Sequence, residues 1–144
     1  MSITTTTTQS DKVYYTGKTH TTGGRNGKSQ SSDGNLDIKL AKPGSNGTGT
    51  NPEQLFAAGW SACFEGAMEK AAQRIGLKLP EDTFIDAEVD LCVDAGEFWL
   101  QARLNIGLPG IHKAIAQQVV ETAHTICPYS KAITGNVHVE FNIL

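Results

Sequence analysis

Residues 83–107, TFIDAEVDLCVDAGEFWLQARLNIG, alternate with period two on both sides of Ala95-Gly96. Ile85, Ala87, Val89, Leu91 and Val93 share one face and Asp86, Glu88 and Asp90 the other, the pattern of a half-buried strand. A turn at Ala95-Gly96 sets Val93 against Phe98 and Leu91 against Leu100, so both strands keep a single apolar face. The segment reads as a long hairpin whose apolar side must be covered.

The cover is expected from two helices flanking it. Residues 51–70, NPEQLFAAGWSACFEGAMEK, place Asn51 as an N-cap and Pro52 in the first turn, where its missing N–H costs nothing. From Leu55 to Phe64 no side chain is charged, and a helix apolar nearly all round reads as a buried one. After the hairpin, a second helix is expected from about Ile111 to Ile126, with Ile111, Ile115, Val119, Thr122 and Ile126 as its stripe. Val137, Val139, Phe141 and Ile143 then alternate in a closing strand.

Upstream, KVYYTGKTHTTGGR, KSQSS and LDIKL are extended segments separated by Asn26-Gly27 and Asp33-Gly34, dipeptides suited to tight hairpin turns. They read as a three-stranded meander, and Lys42 to Asn51 reads as a loop. The order β-β-β-α-β-β-α-β predicts an α+β fold: an antiparallel sheet of meander, hairpin and closing strand, packed on two main helices. Residues 1–12 read as a flexible threonine-rich tail and 13–144 as a single domain.

Composition bounds the function. The 144 residues are 39% hydrophobic and 19% charged, with a net charge of −3. They carry no basic stripe for nucleic acid and no polybasic arm for a membrane. No apolar run approaches the ~20 residues that span a bilayer, and the first residues lack the charged and apolar regions of a secretory signal. Three cysteines, an odd number, do not suggest a secreted disulfide framework. A cytoplasmic setting is expected, where a cysteine pair is more often redox-active than structural.

Cys92 has the parity of Asp86, Glu88 and Asp90, so it falls on the polar face opposite Trp99 with nothing to activate it. Cys63 in an apolar helix is either a small core residue or a thiol that some cation activates. Cys127 should end the second helix, because Pro128 disfavours helical backbone at the residue before it. Pro128 could open a new short turn whose free N–H groups favour a Cys127 thiolate. His124 shares a helical face with Cys127, but no CxxC or HxxxH is present, so a metal is not expected and His124 reads as a solvated helix residue. The glycines of GGRNG are explained by a turn, but Arg25 within it is not.

Taken together, TGGRNG with Arg25, SSDGNLDIKL, TNPEQLFAAGWSACF with Glu53 and Cys63, and CPYSKA with Cys127 resemble the organic hydroperoxide resistance (Ohr) proteins of the Ohr/OsmC family. The pieces fall in the family's order and cover nearly the whole chain after the tail, with Trp60 standing where tyrosine is expected. The resemblance implies an intertwined homodimer and a thiol peroxidase that reduces organic hydroperoxides to alcohols. Cys63 would be the peroxidatic thiol, Cys127 the resolving thiol, and Arg25 with Glu53 the polar pair beside Cys63. Trp60, Phe64, Leu55 and Phe56 are candidates for an apolar substrate wall. The resemblance implies no bound cofactor. The reductant would be an external dithiol of lipoyl type, dihydrolipoamide or a lipoylated protein.

Helix geometry adds a constraint. Glu53 and Cys63 are ten residues apart, about 15 Å along a helix axis. They meet only if the helix bends sharply or if two protomers pair their helices antiparallel, which a two-fold dimer would do. The rival readings are a peroxidase of the OsmC branch, a non-enzymatic thiol redox sensor or binding protein, and last a metal-binding protein.

Overall fold

The computed structural model describes residues 1–4 and 9–144, so part of the threonine tail lies outside the described residues. The chain divides into two units, Met1–Thr50 and Asn51–Leu144.

The first unit is the expected meander, shorter than the sequence suggested. Strands β1 (Thr19–Thr22), β2 (Lys28–Ser31) and β3 (Asp37–Lys39) pair antiparallel in that order. Val13, Tyr14 and Tyr15, expected in the first strand, precede it and are exposed. The β1–β2 connection is not a two-residue Asn26-Gly27 turn. The chain makes a single 3-10 turn over Gly24–Asn26, with the left-handed backbone at Gly23 (φ 75°) and Gly24 (φ 56°). Gly27 is required for a different reason: a Cβ there would lie 1.7 Å from the Thr22 carbonyl oxygen. At the second turn Gly34 takes a positive φ (76°) but Asp33 does not, and the connection runs over residues 32–36 rather than a two-residue turn. There the Asp33 carboxylate accepts from Ser31 Oγ at 2.6 Å and from the Asn35 N–H at 3.0 Å.

In the second unit α1 spans Pro52–Arg74, longer than the stretch read from sequence. Asn51 caps it, its Oδ1 accepting the Gln54 N–H at 2.8 Å, and Pro52 opens it. Gly76 (φ 71°) and the Leu77 N–H, bonded to the Ala72 carbonyl at 2.9 Å, close it in a Schellman arrangement. β4 (Phe84–Asp94) and β5 (Glu97–Gly107) form the hairpin in the register read from the sequence, including Val93↔Phe98, Leu91↔Leu100 and Cys92↔Trp99. Ala95 (φ 48°) and Gly96 (φ 80°) make a two-residue turn with both φ values positive. On the polar face, Arg103 forks between Glu88 and Asp90, and that guanidinium pulls the Asp90 carboxyl down to about 2.

After β5 the chain forms α2 (Lys113–Ile126) and a short α3 (Pro128–Ile133), then β6 (His138–Ile143). β6 pairs with β5 in parallel, Leu104 opposite Phe141, so the second sheet is mixed rather than antiparallel throughout. The two helices between β5 and β6 are the crossover that a parallel pairing requires. The fold class is α+β, with two three-stranded sheets.

The core lies between α1, α2 and the inner face of β5. Trp60, Phe64 and Met68 of α1, Leu104 and Ile106 of β5, and Val119 and Ala123 of α2 are essentially inaccessible to solvent. Leu104→Ala should destabilise the protein by about 2–5 kcal/mol, because the surrounding helices can only partly collapse into the void. Denaturant unfolding with an unchanged m-value would measure it.

Two expectations about the helices need correction. The buried face of α2 is Ala116, Val119, Val120 and Ala123, while Ile115 is exposed and Ile111 precedes the helix. The alanines face inward because their small side chains let α2 lie close to α1. Nor is α1 buried all round: Ala58, Ala62 and Gly66 line an exposed face within the single chain. The far end of the hairpin also outruns its cover, leaving Leu91, Val93 and Phe98 exposed. His124 is half-buried rather than solvated. Its ring meets Phe141 edge-on at 4.8 Å, its buried Nδ1 has no hydrogen-bond partner among the described residues, and burial pushes its pKa down.

Candidate active site

Cys63 stands in the middle of α1, half-buried. Cys127 is 64 residues away in sequence, and its sulfur lies 3.3 Å from that of Cys63, within weak hydrogen-bonding reach. Pro128 explains why the chain turns at this point. With Pro128 following, Cys127 takes ψ 122° and leaves the helical path, and Pro128 then occupies the first position of α3. Cys127 is thus the end of α2 and the cap of α3 at once. Its N–H donates to the Ala123 carbonyl at 2.9 Å and its own carbonyl accepts from Lys131 at 3.0 Å. The residue is completely buried.

The first turn of α3 is seated on α1. The Trp60 indole N–H donates to Ser130 Oγ at 3.3 Å, and both residues are fully buried. The Tyr129 ring lies over Gly59, where a Cβ would come within 2.7 Å of the phenol oxygen. Phe56 meets Trp60 at 5.8 Å and Tyr129 at 6.1 Å between ring centroids, edge-on in both cases. Beside the thiol pair there is therefore an aromatic cluster of Phe56, Trp60 and Tyr129, and Tyr129 is its exposed member.

Burial pushes the Cys63 thiol above its ordinary pKa. Two groups act against this: the backbone N–H of Tyr129 near the start of α3, and more weakly the Lys70 ammonium. The free N–H groups expected to favour a Cys127 thiolate therefore act on Cys63.

The remaining sequence candidates fall as follows. Trp60 and Phe64 are enclosed in the core, Phe64 stacking on Phe141 at 5.3 Å, while Leu55 and Phe56 are half-buried. Glu53 sits in the first turn of α1, and α1 runs unbroken from Pro52 to Arg74. No sharp bend brings Glu53 back to Cys63 of the same chain. Arg25 is in the 3-10 turn between β1 and β2, in the first unit. Cys92 lies on β4 opposite Trp99, as its parity required.

Sequence reasoning missed Tyr129, Ser130 and Gly59. CPYS marked the neighbourhood of the first two. Nothing in a linear sequence pairs Ser130 with Trp60 seventy residues earlier.

Comparison with known proteins agrees with this architecture. Residues 44–142 match the family model described as OsmC-like protein. An organic hydroperoxide resistance protein of Xanthomonas axonopodis pv. citri is 47% identical over 137 residues, covering 92% of this chain and 96% of that protein. The crystal structure of the organic hydroperoxide resistance protein OhrB of Bacillus subtilis superposes with a TM-score of 0.87 at 39% identity, covering 92% of this chain and all of that one. A Legionella pneumophila organic hydroperoxide resistance protein gives a TM-score of 0.85 at 41% identity over 92% and 98% of the two chains. The chain belongs to the OsmC-like family, among its organic hydroperoxide resistance (Ohr) members.

Proposed function

We propose that this protein is a thiol-dependent peroxidase that reduces organic hydroperoxides to alcohols and so protects the cell against oxidative stress. The observation that carries the reading is the thiol pair: a half-buried Cys63 with a fully buried Cys127 sulfur 3.3 Å away. The Cys63 thiolate attacks one peroxide oxygen, the O–O bond breaks, and the alkoxide takes a proton and leaves as alcohol. Cys63 is left as a sulfenic acid. The Cys127 thiol then displaces its hydroxyl, which departs as water, and a Cys63–Cys127 disulfide remains. An external dithiol of lipoyl type reduces the disulfide by exchange and is itself oxidised to a cyclic disulfide. Such a cycle suits a cytoplasm that keeps thiols reduced.

In this reading Arg25 supplies the positive charge that opposes the burial of Cys63, and Glu53 holds the guanidinium. Because α1 is unbroken, Glu53 and Cys63 of one site belong to different protomers of a two-fold dimer. The exposed small face of α1 and the exposed Leu91, Val93 and Phe98 support a homodimer, since contiguous apolar surface of this kind is usually covered. Phe98→Glu should weaken that dimer, shifting sedimentation from twice the 15.4 kDa chain mass toward the chain mass itself. An unchanged profile would remove the hairpin from the interface.

In this reading Phe56 and Tyr129, backed by Trp60, with Leu55 and Phe64 on the same helix, would supply an apolar wall that favours a bulky organic hydroperoxide over hydrogen peroxide. The test is consumption of cumene hydroperoxide driven by dihydrolipoamide, with hydrogen peroxide in parallel. Repeated turnover, faster with the organic substrate, is expected. A single stoichiometric oxidation without turnover would instead make the protein a redox sensor.

A further inference from the structure

α3 has only six residues, too few to hold its shape or place by its own hydrogen bonds. Yet its first turn carries the Cys127 sulfur to within 3.3 Å of Cys63. Something must hold that turn down on α1. Ile133 anchors the far end of α3 in the core, and the Tyr129 ring rests on Gly59. At the near end, three residues from Cys127, the polar contact is the Trp60 indole N–H donating to Ser130 Oγ at 3.3 Å. Trp60 precedes Cys63 by one helical turn, so this contact and the thiol pair join the same two elements one turn apart. Both partners are fully buried, and neither can turn to water if the other is lost.

We propose that the Trp60–Ser130 hydrogen bond is the link that positions the first turn of α3 on α1 and thereby sets Cys127 against Cys63. Trp60 and Ser130 are positioning residues. They touch neither peroxide nor reductant, and act by keeping the two sulfurs within reach. The Tyr129 backbone N–H, which favours the Cys63 thiolate, lies on the same turn and is held by the same bond. When the link is lost, the reduced pair spends less time in contact. A Cys63 sulfenic acid then waits longer for Cys127, and a second hydroperoxide can oxidise it to sulfinic acid, releasing a second alcohol.

The inference rests on the peroxidase reading only in that last consequence, so its primary test avoids peroxide. The Cys63–Cys127 pair is equilibrated with dithiothreitol redox buffers in the wild-type protein, Ser130→Ala, Trp60→Phe and the double variant, with Tm measured alongside. Each single variant should lower the equilibrium constant for disulfide formation roughly tenfold, about 30 mV for a two-electron couple. The double variant should be no worse than either single one, because both remove the same bond. Under excess cumene hydroperoxide, mass spectrometry should find a larger sulfinic acid fraction at Cys63 in all three variants. A fall in Tm with no change in the thiol–disulfide equilibrium would overturn the proposal, as would two single effects that add. A shifted equilibrium in a protein that does not turn over hydroperoxide would uphold the link while sinking the peroxidase reading.

Discussion

Cys63→Ser is expected to abolish turnover of organic hydroperoxide, while Cys127→Ser releases one equivalent of alcohol in forming the sulfenic acid and a second as that acid goes on to sulfinic acid, and then stops under a dithiol too bulky to reach Cys63. The difference follows from where the two sulfurs sit. Cys63 is half-buried and can meet a substrate, whereas Cys127 is sealed and meets only Cys63. Serine cannot replace Cys63, because the nucleophile is a thiolate and a hydroxyl does not ionise near neutral pH. In Cys127→Ser the first attack is untouched, but the sulfenic acid has no neighbouring thiol and proceeds to sulfinic acid under excess peroxide. Rapid-quench measurement of alcohol, with the intact mass of the protein, separates the two variants. A Cys127→Ser protein that turns over at the wild-type rate would show that reductants attack Cys63 directly and that the 3.3 Å contact is incidental.

The hairpin was fully legible because a period of two and a turn that accepts positive φ leave one register, and that register is observed from Asp94↔Glu97 to Phe84↔Gly107. The direction of β6 was not legible, since Val137 to Ile143 alternate identically whether the strand runs parallel or antiparallel to β5. The face of α2 was misread because Ile115 is more hydrophobic than Ala116, whereas the packed interface favours the smaller side chain. At Asn26-Gly27 the dipeptide suggested the right element with the wrong turn, because Gly23 and Gly24 took the positive φ values instead. Within the site, Pro128 marked where Cys127 leaves α2, and the unbroken length of α1 separated Glu53 from Cys63. The Trp60–Ser130 contact stayed hidden because a hydroxyl accepts from whatever donor the tertiary fold brings to it.

The second large effect is expected at Arg25, and it follows from the electrostatics of Cys63. Burial raises the thiol pKa, and in the second unit the Tyr129 N–H and, more weakly, Lys70 oppose it. A thiol is neutral when protonated and anionic when not, so a nearby guanidinium favours the deprotonated form and lowers the pKa. Removing the guanidinium raises it. An opposite charge within about 4–6 Å is typically worth 1–3 pKa units, and below the pKa the thiolate fraction falls tenfold per unit. Arg25→Ala should therefore cost about 10- to 1000-fold in kcat/KM at pH 7, and most of the loss should return as the pH is raised past the new pKa. Arg25→Lys keeps the charge but not the planar fork that a carboxylate can hold, so it should lie between the two. Glu53→Gln has two opposed effects. In the proposed site it would release the guanidinium from a carboxylate anchor, which raises the thiol pKa, and would remove a negative charge that itself raises it. A much smaller shift is expected than for Arg25→Ala. Alkylation of Cys63 by iodoacetamide as a function of pH reads these pKa values without peroxide. A profile identical in wild-type and Arg25→Ala proteins would mean that the cation which activates Cys63 is not Arg25.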